Sequence, residues 1–342
     1  MKLALCGLAS AGKSTLFAAL AGRKLVAEKA RDQAGTVILP VPDQRVDKLS
    51  ALYNPKKTTY AQVTYLDPAA PMAKADDPTT KLPAELRQAE ALIEVVRNFD
   101  AGLGAPRPAA DHQAFFEELL LNDLITVERR LERIAQERQR GRKVDGEELE
   151  LVEQAKAILE DNRALRDNPA FALHPKLRGF GLLTAKPLII VANNVEDDPA
   201  APDLGGGGGE APVVVRAAIE AELAELPDDE RAEFMADLGL TESALDRLIR
   251  ASYAALGLIS FFTVGEDEVR AWTVRRDTPA DEAAGVIHSD LQRGFIRAEV
   301  MRYEDLIAQG SEAAIKKAGL MKLCGRDYLV QDGDILHVRF NV

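Results

Sequence analysis

Apolar positions along the chain fall into three textures. At the start, Lys2–Cys6 is a short apolar run, Gly7–Lys13 is a glycine-bounded loop, and Leu16, Phe17 and Leu20 take helical spacing within Ser14–Ala21. That order predicts strand, loop, helix. Later apolar runs stop where polar residues begin: Val63–Leu66 before Asp67, Pro187–Ala192 before Asn193, and Val213–Val215 before Arg216 and Ala217. Continuous runs interleaved with helices predict an α/β fold with a mostly parallel sheet covered on both faces. Ligands in such sheets sit at the carboxyl ends of the strands.

The second texture runs from about Phe115 to Leu165. Leu120, Leu124, Val127, Leu131 and Ile134 repeat at spacings of four and three, the pattern of a coiled-coil seam. After Gly141–Gly146 a second seam follows through Leu151, Ala155, Ile158, Asn162 and Leu165. Two such helices joined by a turn predict an antiparallel helical hairpin inserted as an arm; two ordinary core helices are the plainer alternative. The third texture begins beyond Leu256, with short runs at Phe261–Thr263, Ala271–Val274 and Ile335–Phe340, and a turn at Gln331–Asp334. It predicts a small mixed α/β module. The expected organisation is therefore an α/β domain in two parts, 1–113 and 167–255, an arm at 114–166 and a C-terminal domain at 256–342. Gly205–Gly209 reads as a surface loop.

Composition narrows the chemistry. The chain has 342 residues and a net charge of −12, which on average repels nucleic acid. Cys6 and Cys324 are the only cysteines, and four scattered histidines offer no zinc-ligand spacing, so a reducing, cytoplasmic setting is expected. No apolar run spans a bilayer, and the opening segment is too short for a signal peptide.

The sharpest motif is Gly7-Leu8-Ala9-Ser10-Ala11-Gly12-Lys13-Ser14-Thr15, which contains G-x-x-x-x-G-K-[ST] between a strand and a helix. Its glycines let successive N–H groups turn toward phosphate oxygens. Lys13 is expected to neutralise the β- and γ-phosphates and the Ser14 hydroxyl to ligate Mg²⁺. Asp67, at a strand end, is the natural second Mg²⁺ partner; a turn residue before Pro68 is the plainer reading.

At this point the residues carry a resemblance. Phe261–Gly265, Arg270–Thr273, Ala284–Asp290, Gly294–Val300 and Asp327–Asp334 resemble segments of the Obg-like ATPases, the YchF group, as do Val41–Arg45 and Val95–Phe99. The resemblance implies a P-loop NTPase with a C-terminal TGS domain of β-grasp fold, and a ribosomal or RNA partner reached through the arm and that domain. Ordinary GTPases carry N-K-x-D where this chain has Asn193-Asn194-Val195-Glu196. A longer carboxylate and a missing lysine disturb the two hydrogen bonds to guanine, so ATP is expected over GTP. The YchF group likewise has N-x-x-E. By the same match Asn193 is expected at the purine N7 edge, unless it is only a polar strand end. The last base-side loop has Arg216 before Ala217, where a small residue is expected.

Departures from the group matter as much. Ala9-Ser10-Ala11 stands for Pro-Asn-Val, and the switch Gly is Ala70 with Pro71 after it. A family His linked to hydrolysis is replaced by Glu94, and a shortened first switch leaves Thr36 as its substitute. Binding parts are present and water-positioning parts are not evident, so no catalytic residue is assigned and hydrolysis is expected to be slow or absent. A hydrolysis-deficient scaffold for RNA or protein is the alternative; a small-molecule kinase is disfavoured for want of an acceptor site. Glu128–Lys143 carries Arg129, Arg130, Arg133, Arg138, Arg140, Arg142 and Lys143 against three glutamates, a surplus of four positive charges at the expected hairpin tip. Such a patch suits an anionic partner, or a solvated face with pairs such as Arg133–Glu137.

Overall fold

The computed structural model describes residues 1–22, 35–68, 82–102, 104–205, 211–237, 240 and 242–341. The switch stretch containing Ala70 and Pro71, and Gly206–Gly209 of the glycine run, lie outside them. The chain forms two compact units: Met1–Val37 with Thr64–Leu248, and Ile38–Val63 with Ile249–Val342.

The first unit is built on strands β1 (Lys2–Cys6), β2 (Gly35–Pro40), β4 (Gln62–Asp67), β5 (Ala91–Asn98), β6 (Leu188–Asn194) and β7 (Val213–Val215), in the order β2-β4-β1-β5-β6-β7. β1 pairs in parallel with both β4 and β5, β5 with β6, and β6 with β7. The chain places β2 and β4 on one side of β1 and then crosses to β5 on the other, so the carboxyl end of β1 lies at a switch point of the sheet, where ligand loops gather. Helices are α1 (Lys13–Ala21), α3 (Glu85–Gln88), α4 (Pro108–Gln139), α5 (Gly146–Glu160), α6 (Pro169–Ala172), α7 (Ala217–Leu223), α8 (Asp228–Asp237) and α9 (Ala244–Ala255), the last running on into the second unit. The middle strands read as unbroken apolar runs because both faces are covered: Leu3, Ala4, Leu5 and Ala91–Ile93 are at most 1 % exposed.

The arm is a helical hairpin, longer than its seam suggested. α4 begins at Pro108, a residue pre-set for the first helical turn, and runs 32 residues. Asp145 caps α5 by accepting from the amides of Glu147 and Glu148. Leu120, Leu124, Val127, Leu131, Leu151, Ala155 and Ile158 share one apolar cluster with Val152 and Leu159. Asn162, expected in the seam, instead lies beyond the end of α5 with φ 56°, and Leu165 joins the cluster from a short 3₁₀ turn. Asn tolerates that left-handed turn, which ends the helix earlier than the apolar spacing implies.

The second unit contains α2 (Gln44–Tyr53), β3 (Lys57–Thr59), β8 (Leu258–Thr263), β9 (Glu268–Arg275), α10 (Ala280–Ile287), α11 (Ser289–Arg293), β10 (Phe295–Arg302), α12 (Tyr303–Gln309), α13 (Glu312–Lys317), β11 (Lys322–Cys324) and β12 (Asp334–Phe340). The strands form one sheet ordered β11-β10-β12-β8-β9-β3, mixed in direction, with Ala280, Ala283 and Ala284 of α10 packed on its core in a β-grasp arrangement. The expected stretch 1–113 is interrupted: α2 and β3 fold with the second unit, while β2 and β4, strands of the first sheet, straddle the boundaries at 37/38 and 63/64. β3 adds to the sheet in parallel with β9, and Arg45 binds Asp43 and Asp332 while lying over the Phe262 ring at 5.1 Å. Such a pairing between distant parts of the chain leaves no mark on local periodicity. Among the described residues, no helix is long and apolar enough to cross a membrane.

Candidate nucleotide site

The loop after β1 turns on three left-handed residues, Gly7 (φ 121°), Ser10 (φ 59°) and Gly12 (φ 91°). A methyl added at Gly7 would lie 2.5 Å from the carbonyl oxygen of Val95, and one added at Gly12 would lie 2.1 Å from Nδ2 of Asn193. Both glycines are therefore required twice over, by backbone angle and by close approach. Gly12 caps α1 without a side-chain hydrogen bond, so the amides of the first turn are left to an outside acceptor. With the helix dipole behind them they form an anion cradle.

Lys13 folds back over this cradle, its Nζ donating to the carbonyls of Gly7 (2.9 Å) and Leu8 (2.6 Å). Burial lowers its pKa from the usual lysine value, while the negative charges of Asp67 and Glu118 pull it back up. An ammonium short of solvent gains from a nearby anion. Ser14 and Thr15 lie in the first turn, and Ala9 and Ser10 in the loop before it, whereas Ala11 is buried. Asp67 ends β4, one residue beyond Leu66, which pairs with Ala4 of β1. Thr36 is exposed on β2.

Of the base-side candidates, Asn193 reaches the same loop and Ala217 is bonded to Asn193, whereas Glu196 is not brought to the loop. Asn193, 5 % exposed at the end of β6, donates from Nδ2 to Ala11 O (3.1 Å) and accepts at Oδ1 from the amide of Ala217 (3.1 Å). Its amide thus ties the phosphate loop to the start of α7, a task the spacing did not reveal. Glu196 is exposed beyond the strand, and Arg216 spans the gap by donating to its backbone oxygen at 3.1 Å. At the ends of β5 and β6, Asn98 donates from Nδ2 to Oδ1 of Asn194 at 3.1 Å.

One pair could not be read from the sequence. Glu94, 1 % exposed on β5, is bonded at 2.9 and 3.1 Å to Nδ1 of His112 in the first turns of α4. Burial raises the Glu94 pKa, opposed by His112 and by the charge of Arg166. Beside it Arg97 faces Asp111 at 3.7 Å. Glu94, Arg97 and Asp111 line a small cleft with Leu8, Ala9 and Ala11 of the loop. The signal in the sequence was the presence of Glu94 and Arg97 in an otherwise apolar strand.

Known proteins match this chain over its whole length. "Ribosome-binding ATPase YchF" of Bacillus subtilis (strain 168) is 40% identical over 361 aligned positions, covering 98% of this chain and 98% of the relative. The chain belongs to the YchF group of Obg-like ATPases. The Escherichia coli O157:H7 YchF is 36% identical, covering 100% of this chain and 99% of the relative, and "Obg-like ATPase 1" of Oryza sativa subsp. japonica is 34% identical, covering 100% of this chain and 92% of the relative. The family model described as "YchF-GTPase_C: Protein of unknown function (DUF933)" matches residues 258–341, inside the second unit. The solved Schizosaccharomyces pombe YchF GTPase superposes with a TM-score of 0.83 at 30% identity, over 99% of this chain and 97% of that one.

Proposed function

We propose that this chain binds a purine nucleoside triphosphate at Gly7–Thr15, prefers ATP to GTP, and works as a slow ATPase switch on the ribosome or a translation partner in the cytoplasm. The observation that carries the reading is the loop itself: two glycines forced by close approach and angle, uncapped amides, and a half-buried ammonium over the cradle. Ala9, Ser10 and Ala11 supply main-chain contacts to the phosphates, Lys13 neutralises them, and Thr15 sits in the first turn behind them. Ser14 and Asp67 suit Mg²⁺, as one hydroxyl and one carboxylate at adjacent strand and helix ends, with phosphate oxygens and water filling the remaining positions. The ion would neutralise charge building on the phosphates.

On the base side, Glu196 disfavours guanine for the reason given by its length, and Ala217 with Asn193 fixes the floor of the pocket. Relatives bear names that include ribosome binding and ATPase activity, while the fission-yeast structure is described as a GTPase. Competition between labelled ATP and GTP decides the base: ATP should displace either label at lower concentration, and equal or better displacement by GTP would overturn the preference. A hydrolysis-deficient scaffold is the second reading, favoured by Ala70 and Pro71 in the switch sequence. Single-turnover ATP hydrolysis separates the two. Product forming faster than in Lys13→Ala supports the switch; identical traces support the scaffold.

A further inference from the structure

The phosphate loop rests on β5 with no slack, since Gly7 meets Val95 where even a methyl would collide. Whatever sets the end of β5 therefore sets the loop. That strand carries two buried charged residues, Glu94 and Arg97, amid apolar neighbours. Burying such groups is unfavourable, and apolar residues of similar volume would pack the same space at least as stably. Their partners are consecutive residues of α4: His112 holds Glu94 at 2.9 Å, and Asp111 faces Arg97 at 3.7 Å. Arg97 also reaches back from Nη1 to the carbonyls of Phe99 (3.3 Å) and Gly104 (3.4 Å), just ahead of that helix. Hydrogen bonds fix height and rotation, which apolar packing leaves loose.

We propose that the first turn of α4 is a clamp on the phosphate loop, with His112 acting through Glu94 and Asp111 through Arg97 as positioning residues for the nucleotide. The inference rests on the loop being the nucleotide site, and it adds a consequence. α4 continues without a break to the arm tip, so the helix that carries the basic tip is the one whose opening turn orients the phosphate loop. The clamp is a directional joint and not a source of stability.

The test compares thermal unfolding with the affinity for a fluorescent ATP analogue plus Mg²⁺, in the full chain. Glu94→Leu with His112→Phe should unfold at the wild-type temperature or above it, while nucleotide affinity falls about tenfold. Glu94→Gln, which keeps a hydrogen bond to His112, should stay within about threefold of wild type. Asp111→Ala, at the partly exposed end of the clamp, provides a variant expected to fold in any case and should lose about threefold. Wild-type affinity in Asp111→Ala and in a folded Leu/Phe variant would overturn the clamp. A wild-type chain that binds no better than Lys13→Ala would remove the nucleotide site and the clamp together, whereas normal wild-type binding with unaffected variants removes the clamp alone.

Discussion

At Gly12 an added methyl would strike the Asn193 amide at 2.1 Å, in a backbone conformation that side chains avoid. Gly12→Ala should therefore destabilise the fold by about 2–4 kcal/mol, combining left-handed strain with loss of the Asn193–Ala11 bond. Urea unfolding measures it, and a change under about 0.5 kcal/mol would mean the loop relaxes freely. Lys13→Ala removes a charged donor without altering the backbone, so stability should hold while nucleotide affinity drops roughly 10- to 100-fold. At this scale the glycine-bounded turn between β1 and α1 was legible, because the residues that bend a chain so tightly are few and adjacent. Asn193 was legible only as a candidate: its bonds to Ala11 and Ala217 link residues far apart in the chain. Glu94 and His112 were invisible as a pair for the same reason, although a buried charge in an apolar strand is itself a mark.

Along α4, one buried carboxylate locks the helix to the segment before β6. Asp123, fully buried, accepts from the amides of Leu183 (2.8 Å) and Thr184 (2.7 Å) and from the Thr184 hydroxyl (2.7 Å). Asp123→Ala leaves three buried donors without their acceptor and should destabilise by about 3 kcal/mol or more. Thermal and urea unfolding check it; an unchanged midpoint would show that the arm is held by its apolar seam alone. The seam itself was readable from heptad spacing, since Leu120, Val127 and Ala155 lie in the cluster it predicted. The limits of the helices were not. Pro108 starts α4 upstream of the seam, and capping chemistry at Asn162 and Asp145 decides where α5 stops and starts.

Across the whole molecule, the acidic chain gathers exposed basic residues at the hairpin tip. Arg130 is committed to Glu148 and Glu137, and so takes the carboxylate that sequence spacing gave to Arg133. Among the described residues, Arg133, Arg138, Arg140, Arg142 and Lys143 have no carboxylate within salt-bridge distance and are exposed. Replacing Arg138, Arg140, Arg142 and Lys143 by Glu should leave nucleotide binding intact and weaken association with ribosomes. The slope of log affinity against log salt should fall by about 0.7–0.9 for each phosphate these side chains no longer neutralise. An unchanged slope would move the anionic partner elsewhere. The C-terminal motifs made the β-grasp unit legible by resemblance, yet its recruitment of residues 38–63 depends on pairing between distant segments, to which local patterns are blind.

Isothermal titration of the purified chain with ATP and excess Mg²⁺, beside Lys13→Ala, tests the central claim most directly. One saturable site per chain, bound roughly 10- to 100-fold more weakly in the variant, is the predicted result; heats that never saturate in the wild type, or that match between the two proteins, would contradict it.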